Sequence, residues 1–175
     1  MTWPTVKNFG TSPTRAGLVT LSAPEAARNP DNVRRGIEWL AARQCEVKWS
    51  KHARSDAGYL AATPAEVAAD LKAAIEDPEV DLIITTGGGA NANAILPFVN
   101  VDCLRKHPKP VIGLSNTTVI LNHLAYASGV VTFHGPVLVW NLGGEPVPDQ
   151  YTERHMIAAL AGDPPLRIVA VSLSW

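Results

Sequence analysis

The sequence is short of cysteine, of aromatic side chains, of charge in excess of either sign and of long apolar runs, and each shortage removes a class of function. Its two cysteines, Cys45 and Cys103, fall in helical or apolar contexts without metal-ligand spacing. That pattern argues against a disulfide framework or a zinc ribbon and reads as two buried thiols. Lysine and arginine together number 15, against 16 aspartates and glutamates, so no net field attracts a nucleic acid or an anionic membrane surface. No apolar run reaches the roughly 18 residues of a membrane-spanning helix. The opening residues, MTWPTVKNFGTSPTR, lack a charged start followed by an apolar core and do not read as a signal peptide. His52, His107, His123 and His155 show no pairing at metal-ligand spacing, and neither a metal nor any other cofactor is expected. These absences leave a soluble, cytoplasmic protein whose partner is a small molecule or another protein.

What the sequence does have is core material. Hydrophobic residues make up 46% of its 175 positions, and the length fits one domain. Residues 1–16 are polar, carry Pro4 and Pro13, and read as a loosely attached N-terminal arm. Residues 17–175 read as a single α/β domain. Strands are expected at 17–22, 46–50, 82–84, 111–114, 129–133 and 166–173. Helices are expected between them: one opening at Asn29-Pro30-Asp31 with Asp31 as N-cap, one capped by Thr63 with Pro64 at its first position and Glu66 at its third, and short segments after Val101 and Ser115. A further helix is expected at 151–161. Strands and helices alternate without internal repeats or low-complexity segments. That order predicts a mostly parallel sheet covered by helices on both faces, flavodoxin-like or Rossmann-like.

The chain is organised around residues 81–100, DLIITTGGGANANAILPFVN. An apolar run enters three glycines, Gly87, Gly88 and Gly89, and then a helix-compatible segment from about Asn91 to Pro97. Such a junction lies at the carboxyl end of a strand, where open α/β sheets bind ligands, and it presents free backbone N–H groups. The G-x-G-x-x-G spacing of dinucleotide folds is absent, and no acid follows at the end of a second strand. A phosphate-binding P-loop fails as well, for want of Lys and Ser/Thr at the required positions. Two further residues are candidates. His134 follows an apolar strand at the same edge of the sheet, where a plain rim histidine is the ordinary alternative. Ser115, in Gly113-Leu114-Ser115-Asn116-Thr117, comes near a nucleophile elbow but lacks its final glycine, and its hydroxyl serves equally well as an N-cap.

Four segments in order, SAPEAARNPDNVRRGIEWL, GYLAATPAEVAADLKAAIEDPEVDLIITTGGGANANAILPFVN, PKPVIGLSNTTVILNHLAYAS and GVVTFHGP, resemble the N-terminal domain of the LD-carboxypeptidase family of serine peptidases, most of all its microcin self-immunity branch. The resemblance runs from about residue 17 to 161. It implies amide-bond hydrolysis by a Ser-Glu-His triad, on substrates such as murein tetrapeptides or the acyl-sulfamoyl adenylate of processed microcin, in two-domain homodimers. The family's serine lies in a Gly-Gly-x-Asn-Ser-Asn motif. Carried over, the glycines fall on Gly88 and Gly89, the asparagines on Asn91 and Asn93, and the serine on Ala92. Amides of the glycine turn and of Asn93 would then form the oxyanion hole.

A methyl group cannot attack a carbonyl, so the triad loses its first member at Ala92. Asn100 and Asn116 stand where the family usually carries aspartates, and Val67 where it often has arginine. The sequence reaches Trp175 with nothing that matches the family's C-terminal glutamate and histidine. The expectation is a diverged relative without the serine nucleophile. It would bind a small polar or peptide-like ligand at Gly88, Gly89, Asn91, Asn93 and Asn116, possess no nucleic-acid or membrane partner, and pair as a homodimer. Two alternatives stand beside it: a repurposed enzyme in which His134 or Ser115 moves protons near the turn amides, and a serine-to-alanine variant or fragment of a true LD-carboxypeptidase.

Overall fold

The computed structural model describes residues 1–146, 148 and 150–163; the strand expected at 166–173 lies outside them. Five strands, β1 (Thr14–Val19), β2 (Cys45–Trp49), β3 (Leu82–Thr85), β4 (Val111–Gly113) and β5 (Phe133–His134), pair in the order β2-β1-β3-β4-β5. Every pairing is parallel. Among the described residues six α-helices connect or flank them: α1 (Glu25–Arg28), α2 (Pro30–Ala41), α3 (Pro64–Glu76), α4 (Val101–Lys106), α5 (Thr118–Ser128) and α6 (Gln150–Ala161). The α/β architecture with helices on both faces is the one expected.

The strand sequences account for the two-sided cover. Leu82, Ile83 and Ile84 are all fully buried, and alternation along the strand sends Ile83 to one face and its neighbours to the other. Ile83 joins Leu71 of α3, Leu104 of α4 and Leu124 of α5 in one apolar cluster. Leu82 and Ile84 join Leu18, Leu40 of α2 and Leu160 of α6 in a second. Burial on both faces requires continuous apolar runs in the central strands, whereas edge strand β2 alternates buried with more exposed positions. Cys45 lies in the second cluster and Cys103 in the first, both as free thiols. Burial raises the pKa of each.

Boundaries differ from the sequence expectation in instructive ways. Thr63 caps α3 in a full capping box: its hydroxyl accepts from the Glu66 amide, and Glu66 reaches back to the Thr63 amide. At α2 the cap position belongs to Asn29, with Pro30 first in the helix and Asp31 in its first turn. The Asn29 side chain does not cap; it donates to the Glu25 carbonyl and carboxylate at 2.9 and 3.0 Å. Strand β1 begins at Thr14, inside the stretch expected as a loose arm. That stretch is tied down: Thr2 pairs with Val130, the Val6 amide donates to the Leu160 carbonyl at 2.7 Å, and Val6 and Phe9 are buried. Two apolar residues three apart are too short a signal to stand out in a polar segment. Strand β5 is shorter than expected because Val130 pairs with Thr2 rather than with β4.

Candidate functional site

The strand order reverses direction between β1 and β3, and at such a point the loops beyond the carboxyl ends of the two strands diverge and leave a ligand crevice. The loop after β1 therefore meets the glycine turn after β3. The Thr86 amide donates to the Val19 carbonyl at 2.8 Å and the Ala23 amide to the Gly88 carbonyl at 3.1 Å. Below them the hydroxyls of Thr20 and Thr86 lie 2.7 Å apart, and Thr20 also donates to the Ala53 carbonyl. The Thr20 and Thr86 hydroxyls of this floor are thus satisfied.

Each glycine of the turn meets a different wall. A Cβ on Gly87 would lie 2.7 Å from Cγ of Glu25 and 3.6 Å from Nε1 of Trp140. Trp140 belongs to a π-helical turn, Leu138–Leu142, that packs on α2 through buried Leu138, Val139 and Leu142. Gly88 faces the side chain of Ser115. Gly89 has φ 144°, and a Cβ there would come within 2.5 Å of the Ala23 nitrogen and the Ser22 hydroxyl, so only glycine fits. The amides of Gly87, Gly88 and Gly89 meet no protein acceptor among the described residues.

After the turn the chain enters a 3-10 helix, Ala92–Phe98, rather than an α-helix. Its first residue is held by Asn116, whose Oδ1 accepts from the Ala92 amide at 2.6 Å and from the Ser22 hydroxyl at 2.9 Å. A neutral amide oxygen is enough for both bonds, so this junction does not need a carboxylate at 116. Ala92 is 0% exposed and belongs to the first apolar cluster with Ile95 and Leu121.

The structure brings Gly88, Gly89, Ala92, Ser115 and Asn116 together at this junction. Asn91 is half-buried and Asn93 exposed. Asn100 caps α4, its Oδ1 accepting from the Asp102 amide at 3.0 Å, and Val67 is buried in the core. Ser115 is not the helix cap the sequence suggested. Thr117 closes that corner, its hydroxyl accepting from the Leu114 amide and donating to the Leu114 carbonyl. Ser115 instead has φ 60° and is exposed beside the glycine turn. His134, paired in register with Gly113, lines a groove of 560 Å³ with Trp3, Phe133, Tyr151, His155 and Met156, and no glycine of the turn lines it.

Ser22, Glu25 and Trp140 were missed. The first two could have been found by asking which loop faces the glycine turn once β1 and β3 are neighbours. Trp140 carries no local signal. Among the described residues no group of three or more His, Cys, Asp or Glu side chains could hold a metal, and no helix is long and apolar enough to cross a membrane.

Comparison with known proteins agrees with this fold. Residues 16–135 match the family described as LD-carboxypeptidase N-terminal domain. The microcin C7 self-immunity protein MccF of Escherichia coli is 31% identical over 130 residues, which are 74% of this chain and 38% of that protein. The murein tetrapeptide carboxypeptidase of Pseudomonas aeruginosa is 27% identical over 146 residues, 83% of this chain and 47% of that protein. Among solved structures, MccF in complex with aspartyl sulfamoyl adenosine superposes with a TM-score of 0.82 at 28% identity, covering 91% of this chain and 46% of the other. An MccF-like protein from Bacillus anthracis gives a TM-score of 0.82 at 27% identity, over 91% and 47%. The chain spans less than half the length of each of these relatives.

Proposed function

The chain belongs to the LD-carboxypeptidase family, matching its N-terminal domain, and from that premise we propose that it binds a small polar, peptide-like ligand in the crevice between the β1 and β3 loops without the family's serine hydrolysis. The observation that carries this reading is Ala92. The resemblance puts it where the family's motif has serine, it has no heteroatom, and it is fully buried among the residues of the first apolar cluster. Covalent catalysis needs a nucleophile within reach of a carbonyl and a base within reach of the nucleophile. A buried methyl supplies neither.

The rest of the crevice is suited to binding. Amides of the glycine turn that meet no acceptor among the described residues are donors for a carboxylate or a carbonyl oxygen, the kind of arrangement that stabilises an oxyanion. Solved MccF structures hold aspartyl sulfamoyl adenosine and adenosine monophosphate, and both carry anionic or carbonyl oxygens of this type. A role in a biosynthetic or self-resistance pathway, and self-association as a dimer, fit the same reading.

Calorimetric titration with aspartyl sulfamoyl adenosine and with a murein LD-tetrapeptide should give saturable binding of at least one, while mass spectrometry of the mixtures finds neither cleaved. Cleavage at enzyme-like rates would overturn the non-hydrolytic reading. Absence of binding to both would overturn the ligand-binding one.

A second reading draws on Ser115. A non-glycine residue at φ 60° is a strained conformation that persists only where the surroundings impose it, and such residues cluster at functional sites. In this reading Ser115, beside Gly88, moves a proton for a ligand held on the turn. Ser115→Ala abolishing a measured turnover while leaving the unfolding curve unchanged would favour it.

A further inference from the structure

A second concavity lies away from the glycine crevice, where edge strand β5 meets α6. It is a groove of 560 Å³, within the size range of small-molecule sites, and no residue of the glycine turn borders it. Its walls are largely apolar and held in place. Trp3 donates its indole N–H to the Ala159 carbonyl at 3.2 Å, and its ring meets Phe133 edge-on with centroids 5.7 Å apart. Met156 of α6, another wall residue, is buried. The segment that carries Trp3 is pinned by the pairing of Thr2 with Val130 and by the bond from the Val6 amide to the Leu160 carbonyl. The groove is therefore built into the fold.

One polar atom at this groove has no partner. His155 lines the groove, and Nε2 of its ring is buried and meets no hydrogen-bonding group. Nδ1 lies 2.7 Å from the Tyr151 carbonyl oxygen, which can only accept, so Nδ1 carries the hydrogen. In the neutral ring that leaves Nε2 a lone-pair acceptor, and what it lacks is a donor. Buried polar atoms are ordinarily satisfied, and an orphan of this kind asks for an explanation. Tyr151 stacks on the imidazole, the ring centroids 3.8 Å apart and the planes 34° from parallel. Tyr151 is 51% exposed and its hydroxyl meets no partner among the described residues, so no side-chain hydrogen bond fastens it over the imidazole.

We propose that this groove is a second ligand site, independent of the crevice and of the reading given for it, and that it takes a small aromatic molecule bearing a hydroxyl group. The ligand ring packs among Trp3, Phe133 and Met156, Tyr151 swings outward, and the ligand hydroxyl donates to Nε2 of His155. A hydroxyl supplies the donor that a neutral imidazole lacks, whereas an ionised carboxylate has no hydrogen to give. A purely apolar ligand would fill the groove and leave Nε2 as it stands.

The test compares para-ethylphenol with para-ethylanisole, a probe of closely similar shape whose oxygen is capped by a methyl group, on the isotope-labelled chain. NMR titration follows the indole N–H of Trp3, the imidazole nitrogens of His155 and, as reporters of the crevice, the backbone amides of Gly87, Gly88 and Gly89. The phenol should bind saturably, move the Trp3 and His155 signals and leave the turn amides in place. Its affinity should exceed that of the ether about threefold to tenfold, the size of one hydrogen bond. His155→Phe should bring the two affinities together while both probes still move Trp3. The proposal is overturned if neither probe moves Trp3, if the shifts are confined to the turn amides, if the two probes bind the unaltered chain equally, or if the preference survives His155→Phe. Where that variant fails to fold, the comparison of the two probes on the unaltered chain decides the question.

Discussion

At position 92 the resemblance puts an alanine where the family's motif has serine, and the burial of that side chain says what a hydroxyl there would do. The side chain is packed in the apolar cluster with Ile95 and Leu121, while its amide is already satisfied by Asn116. A serine there would bury a hydroxyl among apolar neighbours, which costs about 1–3 kcal/mol when no partner is found. Ala92→Ser should accordingly lower the unfolding free energy measured by urea titration by that amount, and hydrolysis of an LD-tetrapeptide should not appear. Stability equal to the unaltered chain together with measurable cleavage would show that the position still faces the crevice. The identity of this residue was legible in the sequence from its place after Gly88, Gly89 and Asn91. Its complete burial was not, because that depends on how elements distant along the chain pack around it.

Helix α3 shows an element whose boundaries local chemistry sets. Thr63, Pro64 and Glu66 formed a recognisable start, and all three take the expected roles, down to the 2.6 Å bond from the Thr63 hydroxyl to the Glu66 carboxylate. That bond, with the Thr63 amide second, holds the Glu66 carboxyl below its ordinary value of 4.5. A carboxyl depressed in the folded state contributes stability that is present above the ordinary pKa and is lost as pH falls through the lower, folded value. Thr63→Ala should cost about 1 kcal/mol at neutral pH through loss of the cap, and the variant should lose less further stability than the unaltered chain between pH 5 and pH 3. Thermal unfolding followed by circular dichroism across that range checks both parts; a constant difference at every pH would show that the carboxyl is not engaged. Ser115 is the contrary case. Its sequence context also suggested a cap, but Thr117 bonds both the amide and the carbonyl of Leu114. Two hydroxyls two residues apart compete for one corner, and nothing local says which wins.

The whole molecule is a parallel sheet between two apolar clusters, and the two clusters share adjacent residues of β3. Ile83 belongs to one and Ile84 to the other, both fully buried. Removing either side chain leaves a cavity beneath a different set of helices, so Ile83→Ala and Ile84→Ala should each lower the unfolding free energy by about 2–5 kcal/mol. Fluorescence and circular dichroism should report the same midpoint for each variant, since the central strand couples both layers. Separate midpoints would mean that the two faces unfold independently. At this scale the crevice also takes its shape. The order β2-β1-β3-β4-β5 makes the loops after β1 and β3 neighbours, and that adjacency alone brings Ser22 and Glu25 to Gly87 and Gly89.

By itself the sequence determined what neighbouring residues decide among themselves: the alternation of strands and helices, the continuous apolar runs that demand cover on both faces, the capping box at Thr63, the glycine turn and the alanine that follows it. Tertiary structure decided what depends on elements distant along the chain. Strand order chose which loop faces the turn, and the packing of Leu138–Leu142 on α2 carried Trp140 to Gly87. The same three-dimensional arrangement placed His134 on a separate groove and tied the first residues to Val130 and Leu160. Periodicity and capping are short-range and can be read along a line. Which strands become neighbours is settled by burial of both sheet faces at once, and that is a property of the folded chain as a whole.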